Sequence, residues 1–216
     1  NNQLKAVATD SHRLSQRIIP LEMPETSNAL TFEITLPGKT LIELSRIIDG
    51  LETIDFAITE NQVLFQTETL SFYSRLLEGR YPDTDRLIND QFNTAIKVVA
   101  SDLVAAVDRA SLMSHTDKNN IATLSINENR ILLTGNSPEI GKVEEEIMVE
   151  NYEGASLDVS FNPDYLKDAL RLFGSSEATI QFLEANRPFT LTLKDNHSDI
   201  PYSFIQLVTP VRTFNG

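Results

Sequence analysis

At 216 residues, with 41% hydrophobic and 23% charged residues, the chain is long enough for two ordinary domains and reads as a soluble globular protein rather than a disordered one. It has no cysteine, which excludes disulfide frameworks, thiolate catalysis and Cys-ligated zinc and favours a cytoplasmic setting. A net charge of −13 argues against indiscriminate nucleic-acid binding over the general surface, yet leaves room for a local basic face.

The chain enters the strand-like Leu4-Lys5-Ala6-Val7-Ala8 almost at once, with neither a basic leader nor an apolar run, so we expect it to begin inside a domain. Three segments then share one grammar: an alternating strand, a polar or proline turn, and an amphipathic helix. The first is Leu30-Thr31-Phe32-Glu33-Ile34-Thr35-Leu36, then Pro37 and a helix over residues 39–49 with Gly50 as its C-cap. The second is Ala95-Ile96-Lys97-Val98-Val99, with Ser101 as N-cap to a helix over 102–113. The third is Leu157-Asp158-Val159-Ser160-Phe161, with Asn162 before Pro163 at the first helical position, a helix to about Phe173, and Gly174 closing it.

A hairpin follows each helix, turning at Glu60-Asn61, at Asn127-Glu128-Asn129 and at Glu184-Ala185-Asn186. The unit recurs every ~60–65 residues, too long for a solenoid repeat and right for a β-α-β-β-β module of half a domain. The predicted class is α+β. Proline and acidic residues at Tyr81-Pro82-Asp83-Thr84-Asp85-Arg86 mark a boundary, giving domains of residues 1–85 and 86–216.

Catalytic signatures are missing from this pattern. The histidines at 12, 115 and 197 are scattered, without the spacing of a zinc site, and the glycine loops of nucleotide binders do not occur. Asp10-Ser11-His12-Arg13 contains the letters of a hydrolytic triad, but neighbours on a strand or tight turn point different ways. We therefore expect no enzyme, no cofactor and no metal. A hydrolase using Asp10 and His12, or a small-molecule-binding α+β module, are the alternatives.

Four stretches together resemble one family, the bacterial DNA polymerase III beta subunit, or β sliding clamp. Ala6-Val7-Ala8-Thr9-Asp10-Ser11-His12-Arg13-Leu14 is similar to its "ATDGHRL" strand end, with Ser11 where glycine is usual. Leu76-Leu77-Glu78-Gly79-Arg80-Tyr81-Pro82-Asp83 resembles its linker into the last domain. Phe161-Asn162-Pro163-Asp164-Tyr165-Leu166 resembles its "F-N-x-x-Y-L" helix start, and Gln206-Leu207-Val208-Thr209-Pro210-Val211-Arg212 its C-terminus.

The resemblance implies a DNA-clamp fold of repeated modules, helices on one side and antiparallel sheets on the other. The chain would hold the C-terminal part of the middle clamp domain and the complete last domain. It implies a processivity factor that encircles duplex DNA without sequence specificity and tethers replicative polymerase, clamp loader and repair proteins through short peptide motifs. The full-length protein would be a homodimeric ring. Carried over by motif, the hydrophobic peptide cleft comprises Thr9, His12, Arg13, Leu14, Pro82, Arg86, Leu87, Leu207, Val208, Thr209, Pro210, Val211 and Arg212, flanked by Asn162 and Tyr165. Lys39, Arg46, Arg109, Lys167 and Arg171 are the candidates to face DNA, and Leu112 and Met113 to meet the neighbouring subunit. The acidic run Glu144-Glu145-Glu146 would rim that contact.

Overall fold

A computed structural model describes residues 2–21, 31–114, 120–128, 130–137, 139, 141–193 and 203–212. Leu30, His115, Asn129 and His197, named above, lie outside them. In chain order the elements are β1 (Gln3–Thr9), β2 (Arg13–Pro20), α1 (Gly38–Ile47), β3 (Asp55–Ile58), β4 (Gln62–Gln66), β5 (Ser71–Arg75), a 3-10 turn (Asp85–Leu87), β6 (Thr94–Val99) and α2 (Ala100–Ser114). They continue with β7 (Ala122–Asn127), β8 (Arg130–Ser137), β9 (Gly141–Glu146), β10 (Asn151–Gly154), β11 (Leu157–Phe161), α3 (Pro163–Arg171), β12 (Glu177–Phe182), β13 (Phe189–Leu193) and β14 (Ser203–Val208). The fold is α+β, and the sheets are antiparallel.

Two compact units emerge, one of residues 1–22 with 84–216 and one of residues 23–83. This grouping differs from the division at residue 85, because β2 pairs with β14 from Ser203↔Ile18 to Val208↔Arg13. The β1–β2 hairpin thereby extends the sheet of the last modules.

In the larger unit the modules exchange their opening strands. β6 opens the second module but pairs with β12 of the third, while β11 opens the third and pairs with β7 of the second. The results are a seven-stranded sheet, β1-β2-β14-β13-β12-β6-β10, and a four-stranded one, β11-β7-β8-β9. Helix α2 packs on β8 and on α3, and α3 on β14. Leu103, Val107, Leu166 and Leu170 from the helices meet Leu124, Leu133, Phe161, Ile180, Phe182 and Leu191 from the strands in one continuous core. Phe189 joins Phe161 and Phe182 there, with ring centroids 6.1 and 5.1 Å away. At Gly135 on β8, an added Cβ would sit 2.2 Å from the Ala110 carbonyl of α2, so glycine permits this close helix–sheet approach.

The third helix forms for the reasons read in the sequence. Asn162 Oδ1 accepts the Asp164 N–H at 2.9 Å, Pro163 occupies the first turn, and Arg171 stands in the last turn. Gly50 and Gly174 take positive φ, 78° and 59°, just past α1 and α3. The second helix departs from expectation. It begins at Ala100, whose N–H donates to the Ser176 carbonyl at 3.0 Å, so the chain passes from strand to helix without a side-chain cap. Ser101 instead donates to Asp102 Oδ1 at 3.3 Å.

In the smaller unit, α1 accompanies the meander β3-β4-β5. The strand expected over 30–36 is not formed: residues 31–36 carry no regular structure, although the Leu77 N–H donates to the Thr35 carbonyl at 2.8 Å. Alternation alone does not make a strand; it needs a neighbour along its length, and in the other two modules a strand of the companion module supplies one.

Candidate functional site

The site grows from one strand pairing. Leu14 lies opposite Leu207 and Arg13 opposite Val208, and past the end of the ladder the Thr209 N–H donates to the His12 carbonyl at 2.9 Å. The chain then turns toward β11, where the Val211 N–H donates to the Ser160 carbonyl at 2.7 Å. Residues 9–14 and 207–212, far apart in sequence, are therefore neighbours. Asn162 and Tyr165, at the start of α3, complete the group: the Tyr165 ring stacks on His12 at 5.5 Å and 16°, and the Arg13 guanidinium lies 5.1 Å from its centroid.

The turn between β1 and β2 is held by Asp10. Its Oδ1 accepts the backbone N–H groups of His12 and Arg13, both at 3.1 Å, and its Oδ2 accepts from Arg13 Nε at 2.9 Å. Burial would raise the Asp10 carboxyl, but the Arg13 side chain and these two amides outweigh it and hold it below its ordinary value. Arg13 also pairs with Asp168 of α3, a hydrogen bond that, with Asp10, pushes the guanidinium up against the opposing effect of burial. Both Asp10 oxygens are thus engaged in building the turn, and the His12 ring is stacked on tyrosine. The geometry is structural, not that of a hydrolytic triad. Ser11 carries a φ of 75°, the left-handed conformation that explains why glycine suits this position.

The apolar members divide between the two faces of the sheet. Val208 faces the helices and belongs to the core. Leu14 and Leu207, only 2% and 4% exposed, are buried outside that core, on the opposite face. They are a floor rather than an open wall. Leu87, by contrast, is 49% exposed on the short turn Asp85–Leu87, which an ion pair from Lys5 to Asp85 ties to β1. Arg86 on that turn and Arg212 are exposed, while Thr209, Pro210 and Val211 are half-buried. Pro82 is exposed and lies in the other unit, one residue before its end.

The basic residues separate just as sharply. Lys39, Arg46, Arg109 and Arg171 are exposed. Lys167 departs from the expectation of a solvent-facing cation. It is 7% exposed, with Nζ 3.1 Å from Asp108 on α2 and 3.0 Å from Asp164 on its own helix. Burial alone would lower its pKa, but these two carboxylates raise it, so the charge is spent fastening α3 to α2. Arg46 pairs with Glu43, Arg171 lies near Asp108 and Asp168, and Arg109 forks onto Glu145 of β9. The Arg109 hydrogen bond lowers the Glu145 carboxyl against the effect of burial. Leu112 is 66% exposed on α2, and Met113 beside it is half-buried. The run Glu144-Glu145-Glu146 lies on β9, an edge strand.

Sequence reasoning missed the roles of Asp10 and Asp168. The i,i+3 spacing of Asp10 to Arg13 signalled a local turn bond, but the contact with Asp168 comes from tertiary packing alone.

Strand exchange, paired modules and this junction together define a DNA-clamp architecture. The family model for the DNA polymerase III beta subunit, C-terminal domain, matches residues 85–206, and that for its central domain matches residues 1–83. The chain belongs to the DNA polymerase III beta-subunit family. It is 44% identical over 214 residues to the beta sliding clamp of Streptococcus pneumoniae TIGR4, covering 99% of this chain and 54% of the relative. Against the Bacillus subtilis beta sliding clamp it is 41% identical over 215 residues, covering 99% and 55%. The crystal structure of the Streptococcus pyogenes beta subunit superposes with a TM-score of 0.90 at 44% identity, over 98% of this chain and 55% of that one. The chain spans about half the length of these relatives.

Proposed function

We propose that this chain is the C-terminal portion of a DNA sliding clamp, a non-catalytic processivity factor of the bacterial cytoplasm. In this reading residues 1–85 belong to the middle clamp domain and 86–216 form the last one, with the β1–β2 hairpin bridging into the last domain's sheet. Its peptide site receives short linear motifs of the replicative polymerase, clamp loader and repair proteins. Binding one tail holds a polymerase at high effective concentration beside the template, without any chemistry in the clamp itself.

One observation carries the reading: the pairing of β2 with β14, which sets residues 9–14 beside 207–212 and under Tyr165. The buried Leu14 and Leu207 offer an apolar floor and the exposed Leu87 an apolar wall, while His12 and Arg13 supply polar edges. The site residues are Thr9, His12, Arg13, Leu14, Arg86, Leu87, Asn162, Tyr165 and Leu207 to Arg212, all of the larger unit. Lys39, Arg46, Arg109 and Arg171 face DNA phosphates in the closed ring of the full-length homodimer, and Leu112 with Met113 meets the neighbouring subunit. Loose phosphate contacts, rather than base readout, are what sliding needs.

The test is titration of a labelled Gln-Leu-x-Leu-Phe peptide against the chain and against a variant lacking residues 209–216. Saturable binding that is largely lost in the truncated protein is expected. No binding by well-folded full chain would contradict the proposal.

A further inference from the structure

The seam between β2 and β14 buries two glutamines, Gln16 and Gln206, each 5% exposed. They are treated differently. Gln206 shares the helix-facing side with Val208, and its Nε2 donates to Ser15 Oγ at 2.7 Å. Gln16 lies on the opposite side, two residues along β2 from Leu14 and across the ladders from Val7 and Ile205. Among the described residues its Oε1, fully buried, meets no donor. A buried carbonyl oxygen in apolar surroundings destabilises the protein unless something donates to it.

The position of this oxygen is informative. Leu14, Gln16, Leu207 and Ile205 share one face of two paired strands, so the orphaned acceptor stands in the same floor as the two leucines of the peptide site. Lys5 lies on this face too, opposite Ile18, and its ion pair with Asp85 ties the turn Asp85–Leu87 to it. Both side chains of that pair are solvent-accessible, so the pair itself adds little to the hold on the turn.

We propose that Gln16 is a recognition residue of the peptide site, whose buried amide oxygen accepts an N–H from the bound peptide and favours a side-chain amide over a carboxylate. The inference rests on the peptide-binding reading above and adds a residue to it. A carboxylate brought to this oxygen would meet a second acceptor in a dry setting, whereas an amide N–H completes it. The acceptor is kept unpaired in the free protein at a cost in stability and is satisfied on binding.

That trade gives a test with two readouts. Gln16→Met is close in volume and removes the acceptor. We expect its melting temperature to equal or exceed that of the parent, while affinity for the Gln-Leu-x-Leu-Phe peptide falls about 5–10-fold, the worth of one buried hydrogen bond. A second arm needs no protein variant: peptides with Gln replaced by Glu or by norleucine should each bind the parent about 5–10-fold more weakly. In Gln16→Met, norleucine and Gln peptides should bind alike. Unchanged or tighter binding by Gln16→Met, or undiminished discrimination among the three peptides, overturns the role of Gln16 and leaves the peptide site standing. Absence of binding by the folded parent overturns both.

Discussion

Helices α3 and α1 occupy equivalent places in their modules, yet one is core and the other is largely surface. Helix α3 buries Leu166, Ala169 and Leu170 against α2 and the seven-stranded sheet, whereas α1 buries Leu44 and leaves Leu41 and Ile42 exposed. The difference lies not in the helix sequence, since both are amphipathic, but in what each module is paired with. In the larger unit two modules exchange strands and lay α2 beside α3; the smaller unit holds one module among the described residues. An apolar stripe becomes core only when a second module closes over it.

The largest expected effect lies in the paired modules. Phe161→Ala should cost ~3–5 kcal/mol in chemical denaturation of the larger unit, because Phe161 is 1% exposed amid Phe189 and the central strands. Leu44→Ala in α1 should cost at most ~2 kcal/mol, the lower end for such truncations. Equal losses at the two positions would break the comparison.

Next comes the fastening of α3 to α2. Lys167→Met leaves Asp108 and Asp164 without their shared cation and should cost ~1–2 kcal/mol, reduced because both carboxylates still reach solvent. Arg171→Met, whose partners lie at 3.6 and 3.9 Å on an exposed face, should stay within ~0.5 kcal/mol. Asn162→Ala removes the cap of α3 and should cost ~1 kcal/mol by the same denaturation assay.

Smaller effects sharpen the β1–β2 turn. The Asp10 carboxyl is held low in the folded protein, so its contribution is present above the unfolded value of ~3.9 and is lost as pH falls through the folded one. Melting curves between pH 6 and 3 should therefore show Asp10→Asn less acid-sensitive than the parent. Ser11→Gly relieves a left-handed residue and should stabilise by up to ~1 kcal/mol, whereas Ser11→Ala should not.

Much of this was legible in the sequence. Strand β11, the Asn162-Pro163 start of α3 and the hairpin at Glu60-Asn61 followed from local chemistry, where a cap, a fixed φ or an alternating run decides the outcome. What local chemistry does not decide was not legible there. The strand expected over 30–36 depends on a neighbouring strand, Lys167 depends on the angle at which α3 meets α2, and the burial of Leu14 and Leu207 depends on what crosses the far face of the sheet. The juxtaposition of residues 9–14 with 207–212 came from family resemblance, since no periodicity within either stretch encodes their pairing.

In the proposed reading the β1–β2 hairpin end, strand β14 and Tyr165 together hold short replication-protein tails. Titrating the labelled peptide against Tyr165→Ala and Leu112→Ala tests it most directly. A loss of at least ~10-fold is expected at Tyr165, as for an aromatic anchor, and no change at Leu112 on α2. Equal affinity for all three proteins would contradict it.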